Sequence, residues 1–236
     1  MGNSLPVTAT GRSVLLLGAT GLVGNECLRR LLADDAFSRV VVVTRTPFEP
    51  ERNSGKLERH VADFEHLTLH AHRFEVDNII CALGTTMKRA GSRARFRTVD
   101  FVYPLTAAHL GLERGASHFL AVSAIGADSG SRIFYNRTKG ELEDALRALS
   151  YPCLTLVRPS LLVGSRPRPR TAERIAGALS FAFPTKYRPV AASHVAQAIV
   201  DAAVAASPGI RVIESPEMLP APTLAEPIPA LRTSPM

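Results

Sequence analysis

With only three cysteines, Cys27, Cys81 and Cys153, widely spaced along 236 residues, the chain has neither a disulfide framework nor a cysteine zinc site. Each lies in or beside an apolar segment and reads as a buried free thiol. No apolar stretch reaches the roughly 20 residues needed to cross a bilayer, because Arg, Asp and Gly interrupt every long candidate. The opening MGNSLPVTATGRS lacks a basic start followed by an apolar core and a small-residue cleavage site, so export is not expected and the cytoplasm is. The 16 glycines follow no triplet period, which excludes a collagen-like chain, and no internal repeat is present. Acidic residues are the minority, giving a formal charge of +7. That charge suits an anionic partner without separating nucleic acid from a phosphate-bearing cofactor.

What is present is an alternation of short apolar runs and helical periodicities. Ser13 to Leu17 reads as a buried strand, GATGLVG follows at once, and Cys27, Leu28, Leu31 and Leu32 then recur at helical spacing. Val40 to Thr44 closes a β-α-β unit. Further strands are expected at Ile79 to Leu83, Phe119 to Val122, Leu154 to Val157 and Ile210 to Ile213. Helices are expected over Tyr103 to Gly115, Tyr135 to Leu149 and Val195 to Ala206, the last with Ser193 as its N-cap. Residues 46 to 60 are polar and rich in turn formers, and Leu67 to Leu69 is ambiguous. The pattern predicts an α/β fold, a Rossmann-like doubly wound parallel sheet with helices on both faces. Residues 1–214 are expected to form that domain, with a small substrate-side segment near 165–190, and 215–236 a Pro-rich extended or disordered tail.

Two constellations carry chemistry. The first is Gly18-Ala19-Thr20-Gly21-Leu22-Val23-Gly24, where glycines between a strand and a helix let a pyrophosphate approach backbone N–H groups at the helix start. The second strand ends in Thr44-Arg45 where NAD binding usually uses an acid, so Arg45 points to a ribose 2′-phosphate and to NADP(H). Asp63 and Phe64 are candidates to flank the adenine. The second constellation is Ser123 at a strand end with Tyr135 and Lys139 four residues apart on one helical face. An ammonium beside a phenol draws its pKa down, which suits proton exchange with a carbonyl or alcohol, and Ser123 supplies a second hydrogen bond to that oxygen.

Competing sites are weaker. Ser123 lies in AVSAIG, not in the G-x-S-x-G turn of a hydrolase. His60, His66, His70 and His72 have no carboxylate or cysteine set at metal-ligand spacing. Arg89, Arg93, Arg95 and Arg97 form no recognised nucleic-acid module, and no nucleic-acid partner is expected. Arg166, Arg168, Arg170 and Arg174 read as a solvated basic loop.

GATGLVG, Ser123, Y135-N-R-T-K139 and V157-R-P-S-L-L-V-G164 together resemble the short-chain dehydrogenase/reductases. C81-A-L-G-T-T-M-K-R-A-G91, T98-V-D100 and K139-G-E-L-E143 are similar to its atypical branch, the one containing the Tat-interactive protein. The resemblance spans roughly residues 13 to 213. It implies NADP(H) on the first glycine turn and a Ser123-Tyr135-Lys139 active site. It also implies that Ala82, Leu83 and Gly84 line the ribose side and that Pro159 and Ser160 lie near the nicotinamide. Asp100 stands near the place of a relay asparagine in other members. Two outcomes follow as expectations, an oxidoreductase acting on a small carbonyl or alcohol, or an NADP(H)-binding redox sensor or scaffold. A homodimer or another protein partner is open.

Overall fold

The computed structural model describes residues 11–163 and 184–219. Strands β1 (Arg12–Leu17), β2 (Phe37–Thr44), β3 (Leu57–Val61), β4 (Asn78–Cys81), β5 (His118–Val122), β6 (Cys153–Arg158) and β9 (Gly209–Glu214) form one sheet. Their order is β3-β2-β1-β4-β5-β6-β9, with every neighbouring pair parallel. A separate parallel pair joins β7 (Leu162–Val163) to β8 (Val190–Ala191). The chain reverses direction across the sheet between β1 and β4, the switch point at which strand-end loops diverge and leave a crevice.

Alternate residues of each strand enter two cores. Val14, Leu16, Val40, Val42, Ile80 and Leu120 meet α1 (Leu22–Ala33) and α6 (Ala192–Ala205) on one face. Leu15, Leu17, Val41, Val43, Ile79 and Phe119 meet α4 (Tyr103–Glu113), α5 (Phe134–Ala148) and a 3-10 stretch (Phe64–Phe74) on the other. Burial on both faces is why these strands are continuous Val, Leu and Ile runs rather than alternating ones. Between β4 and α4 the chain makes two short helices, α2 (Met87–Ala90) and α3 (Arg93–Arg97). A π turn (Thr98–Val102) then carries α3 into α4.

The doubly wound sheet expected from the sequence is present, with three local corrections. The polar stretch at 46 to 60 contains β3, an edge strand whose residues are mostly half-exposed and so lack an apolar run. Ser193 lies inside α6, whose N-cap is Ala191 without a side-chain cap. The segment expected to begin a loose tail is packed: Ser215–Met218 forms a capped 3-10 turn, Ser215 is fully buried and Met218 joins the core. The basic loop carrying Arg166, Arg168, Arg170 and Arg174, and the remainder of the expected tail, lie outside the described residues.

Candidate active site

A cleft of about 350 Å³ opens at the carboxyl ends of β1, β2 and β4. Gly18, Thr20 and Gly21 form its floor, Thr44, Arg45 and Thr46 follow β2, and Ala82, Leu83 and Gly84 follow β4. Phe64, Arg89, Val99 and Tyr103 complete the lining. Gly18 has φ +88°, and a Cβ there would stand 2.5 Å from the Ala82 carbonyl oxygen. At Gly24 a Cβ would stand 2.0 Å from the Gly18 carbonyl oxygen. Both glycines are therefore required by the protein's own packing of turn, helix and β4. Gly21 differs: its Cβ would meet only the Gly18 oxygen at 3.2 Å, so this position faces the open cleft.

The other residues proposed for the cofactor divide. The Val23 side chain is part of the core and that of Leu22 packs against it, so these side chains hold α1 in place, which leaves only their backbone at the helix start to meet a ligand. Asp63 is the N-cap of the 3-10 stretch, accepting from the Glu65 N–H at 3.0 Å and from His66 Nδ1 at 3.0 Å. Phe64, buried beside it, lines the cleft. The Ser160 hydroxyl donates to the Arg188 carbonyl, and its N–H donates to Ser215 Oγ at 3.3 Å. Pro159 accepts from the Ile125 N–H at 2.9 Å, which ties the β6 exit to the loop after β5.

That loop and α5 hold Ser123, Tyr135 and Lys139. Gly140 lets them approach, since a Cβ there would stand 2.1 Å from the Ser129 nitrogen. Lys139 is buried, and its Nζ lies 2.8 Å from Asp100 Oδ1. The second oxygen of Asp100 accepts from the Thr85 N–H at 2.8 Å, joining the pair to the cleft wall at Gly84-Thr85. Burial is the largest single influence and works to lower the Lys139 pKa, but the charge and hydrogen bond of Asp100, with Tyr135 and Cys81, together outweigh it and the net direction is upward.

Tyr135 corrects an expectation. Its pKa is raised, first by burial; Lys139 opposes the rise and Asp100 adds to it. Burial outweighs the lysine charge that was expected to draw the phenol toward neutrality, and that charge is in addition shared with the Asp100 carboxylate.

Ser123 is also committed. Its Oγ lies 2.6 Å from Glu143 Oε1. Glu143 is buried and takes Arg158 on both oxygens, Nε at 2.9 Å and Nη2 at 2.6 Å. A carboxylate held by a guanidinium accepts only, so the serine proton points to Glu143 and the hydroxyl presents lone pairs elsewhere. Glu143 and Arg158 are neighbours of the candidate site that the residue patterns did not point to. The signal was available: Tyr135, Lys139 and Glu143 repeat every four residues and share one helical face.

No family model matches the chain. Protein HTATIP2 of Rattus norvegicus is 34% identical over 167 residues, covering 70% of this chain and 69% of that protein. The chain belongs to the atypical short-chain dehydrogenase/reductases, in the HTATIP2 branch. Fungal relatives of this branch include Protein FMP52-1, mitochondrial, of Scheffersomyces stipitis, 33% identical with 65% of this chain and 69% of that protein covered. Protein FMP52, mitochondrial, of Debaryomyces hansenii is 31% identical, with 65% and 68% covered. These names overturn the expectation of a cytoplasmic protein: a first segment without a secretory pattern argues only against export and does not separate cytoplasm from organelle.

Among solved structures, MoeE5 in complex with UDP-glucose and NAD superposes with a TM-score of 0.67 at 17% identity, covering 85% of this chain and 74% of that one. A UDP-glucose 4-epimerase of Thermotoga maritima gives 0.67 at 15%, with 86% and 76% covered. Both share the fold of this branch. No helix among the described residues is long and apolar enough to cross a membrane.

Proposed function

We propose that this chain is an NADP(H)-dependent oxidoreductase that moves hydride to or from a small carbonyl or alcohol. The observation that carries the reading is the cleft itself. A glycine turn at the end of β1 leaves room for a pyrophosphate at Gly21, while Arg45 stands at the end of β2 with no carboxylate among the described lining residues. Gly18, Thr20 and Gly21 would hold the pyrophosphate and Arg45 the 2′-phosphate. Ala82, Leu83 and Gly84 would face the ribose, and Pro159 and Ser160 the nicotinamide side. When bound, the nicotinamide ring supplies or takes the hydride.

The chain's own residues would handle the proton. A Tyr135 hydroxyl whose pKa is raised stays protonated at neutral pH, which suits donation to a substrate oxygen as a carbonyl is reduced. Lys139, one helical turn on from Tyr135, holds its charge with Asp100 as counter-ion and acts on that hydroxyl through its field. Ser123, whose proton is directed to Glu143, accepts from a substrate hydroxyl as it stands and polarises a carbonyl only after rotating off Glu143. Alcohol oxidation, which needs the phenolate as base, should rise with pH well above neutrality, while reduction falls over the same range; pH profiles in the two directions check this.

A second reading, an NADP(H)-binding sensor or scaffold without turnover, is favoured by one observation: Ser123 and Lys139 are already satisfied by Glu143 and Asp100. NADPH oxidation against a panel of small aldehydes, ketones and quinones, run beside a cofactor-binding titration, separates the two. Turnover supports the enzyme; tight NADPH binding with no carbonyl reduced supports the sensor.

A further inference from the structure

The basic segment between β4 and α4 distributes its arginines unequally. Arg95 pairs with Glu65 at 2.9 Å. Arg97 pairs with Glu141 and lies over the Phe101 ring, 4.2 Å from its centroid. Arg93 lies over Phe134, 5.2 Å from the ring centroid. Each of the three has a partner within the protein. Arg89 is the fourth: it is exposed, lines the cleft, and enters none of the ion pairs among the described residues.

Its backbone is fixed at both ends of α2. The Thr86 hydroxyl accepts from the Arg89 N–H at 3.2 Å, and Gly91 ends the helix at φ +74° with its N–H donating to the Met87 carbonyl. The side chain thus starts from a defined point above the end of β4, while Arg45 starts from the end of β2. Because β1 lies between β2 and β4 in the sheet, the two guanidiniums reach the same cleft from its two sides. Two cations without a carboxylate among the described lining residues repel each other unless an anion lies between them. A guanidinium matches the oxygens of a phosphate monoester better than those of a diester, since the monoester offers more charge and more acceptors.

We propose that Arg89 is the second arm of a two-arginine clamp on the ribose 2′-phosphate, closing from the β4 side against Arg45 on the β2 side; this rests on the NADP(H) reading above. The clamp makes preference for the phosphorylated dinucleotide a property of two loops rather than of the second strand alone.

The experiment is titration calorimetry of the full chain and of Arg89→Gln, Arg89→Lys and Arg93→Gln with NADPH and with NADH, each variant also checked for an unchanged thermal midpoint. Arg89→Gln should weaken NADPH by about tenfold, or about 1.4 kcal/mol, and NADH by less than about twofold. Arg89→Lys should fall between, keeping charge without the planar fork, and Arg93→Gln should match the parent. Equal weakening of both dinucleotides would place Arg89 on the pyrophosphate they share and overturn the clamp. Unchanged NADPH affinity in Arg89→Gln would also overturn it, and with the parent still preferring NADPH the NADP(H) reading would survive. A parent that binds the two dinucleotides equally would remove that reading and the clamp together.

Discussion

Along the crevice, the half built from β1, β2 and β4 leaves two arginines, Arg45 and Arg89, facing the cleft, whereas the half built from β5 and α5 pairs its polar groups with one another or with neighbouring carboxylates. Guanidiniums outside every ion pair among the described residues suit a ligand that arrives fully charged. Buried groups that already balance hold a geometry fixed, and each partner removed leaves an uncompensated charge or proton. The half proposed to hold the cofactor should therefore tolerate substitution in the folded state and lose binding, while the half proposed for proton transfer should lose stability as well as activity.

The largest expected effect tests where that division ends. Tyr135→Phe removes one hydroxyl and no ion pair, so turnover of a reduced carbonyl should fall by roughly 10²–10⁴-fold with NADPH affinity little changed, measured by steady-state kinetics beside calorimetry. Asp100→Asn comes next. It leaves Lys139 buried without its counter-ion, at a cost of about 3–5 kcal/mol in denaturant unfolding, and adding Lys139→Met should recover part of that loss.

The pH dependence of stability has a source away from both halves. His118 is buried, with Nε2 2.9 Å from Thr155 Oγ1, and burial followed by the nearby Arg12 charge pushes its pKa down from 6.5 to about 4. Between those values the unfolded chain binds a proton that the folded one refuses. Stability should therefore be constant in this respect above pH 6.5 and fall by up to about 3 kcal/mol as pH drops toward 4. Urea titrations across that range, with His118→Gln flattening the curve, check it.

The smallest effect on folding is expected at Gly21. Gly21→Val should cost less stability than Gly24→Val, because its Cβ would stand 3.2 Å from the Gly18 carbonyl oxygen rather than 2.0 Å, yet weaken NADPH and NADH alike; Gly24→Val should destabilise the fold, since its side chain would collide with that carbonyl. Thermal midpoints and cofactor titrations of the two variants contrast a ligand-facing glycine with a packing one.

Features encoded in contiguous residues were the ones legible in the sequence. β1, β2, β4, β5 and β6 are dense apolar runs, and the glycine turn and the Tyr135-Lys139 spacing are each complete within a few positions. What escaped depends on distant pairing. β3 escaped because an edge strand with mixed exposure has no run to read. Asp100 and Glu143 meet Lys139 and Ser123 only because a π turn and the second half of α5 bring them there. The direction at Tyr135 escaped because it is set first by burial, with Asp100 adding to it, and burial is not written in the Tyr-Lys spacing. Arg89 was hidden among three similar neighbours, and only their separate partners single it out.

The most direct test of the open, phosphate-seeking half is the affinity of the unaltered protein for NADPH against NADH, measured by calorimetry together with Arg45→Ala. A clear preference for NADPH is expected, which Arg45→Ala reduces by about 1.5–3 kcal/mol while barely changing NADH. Equal affinities of the unaltered protein for the two dinucleotides would contradict it.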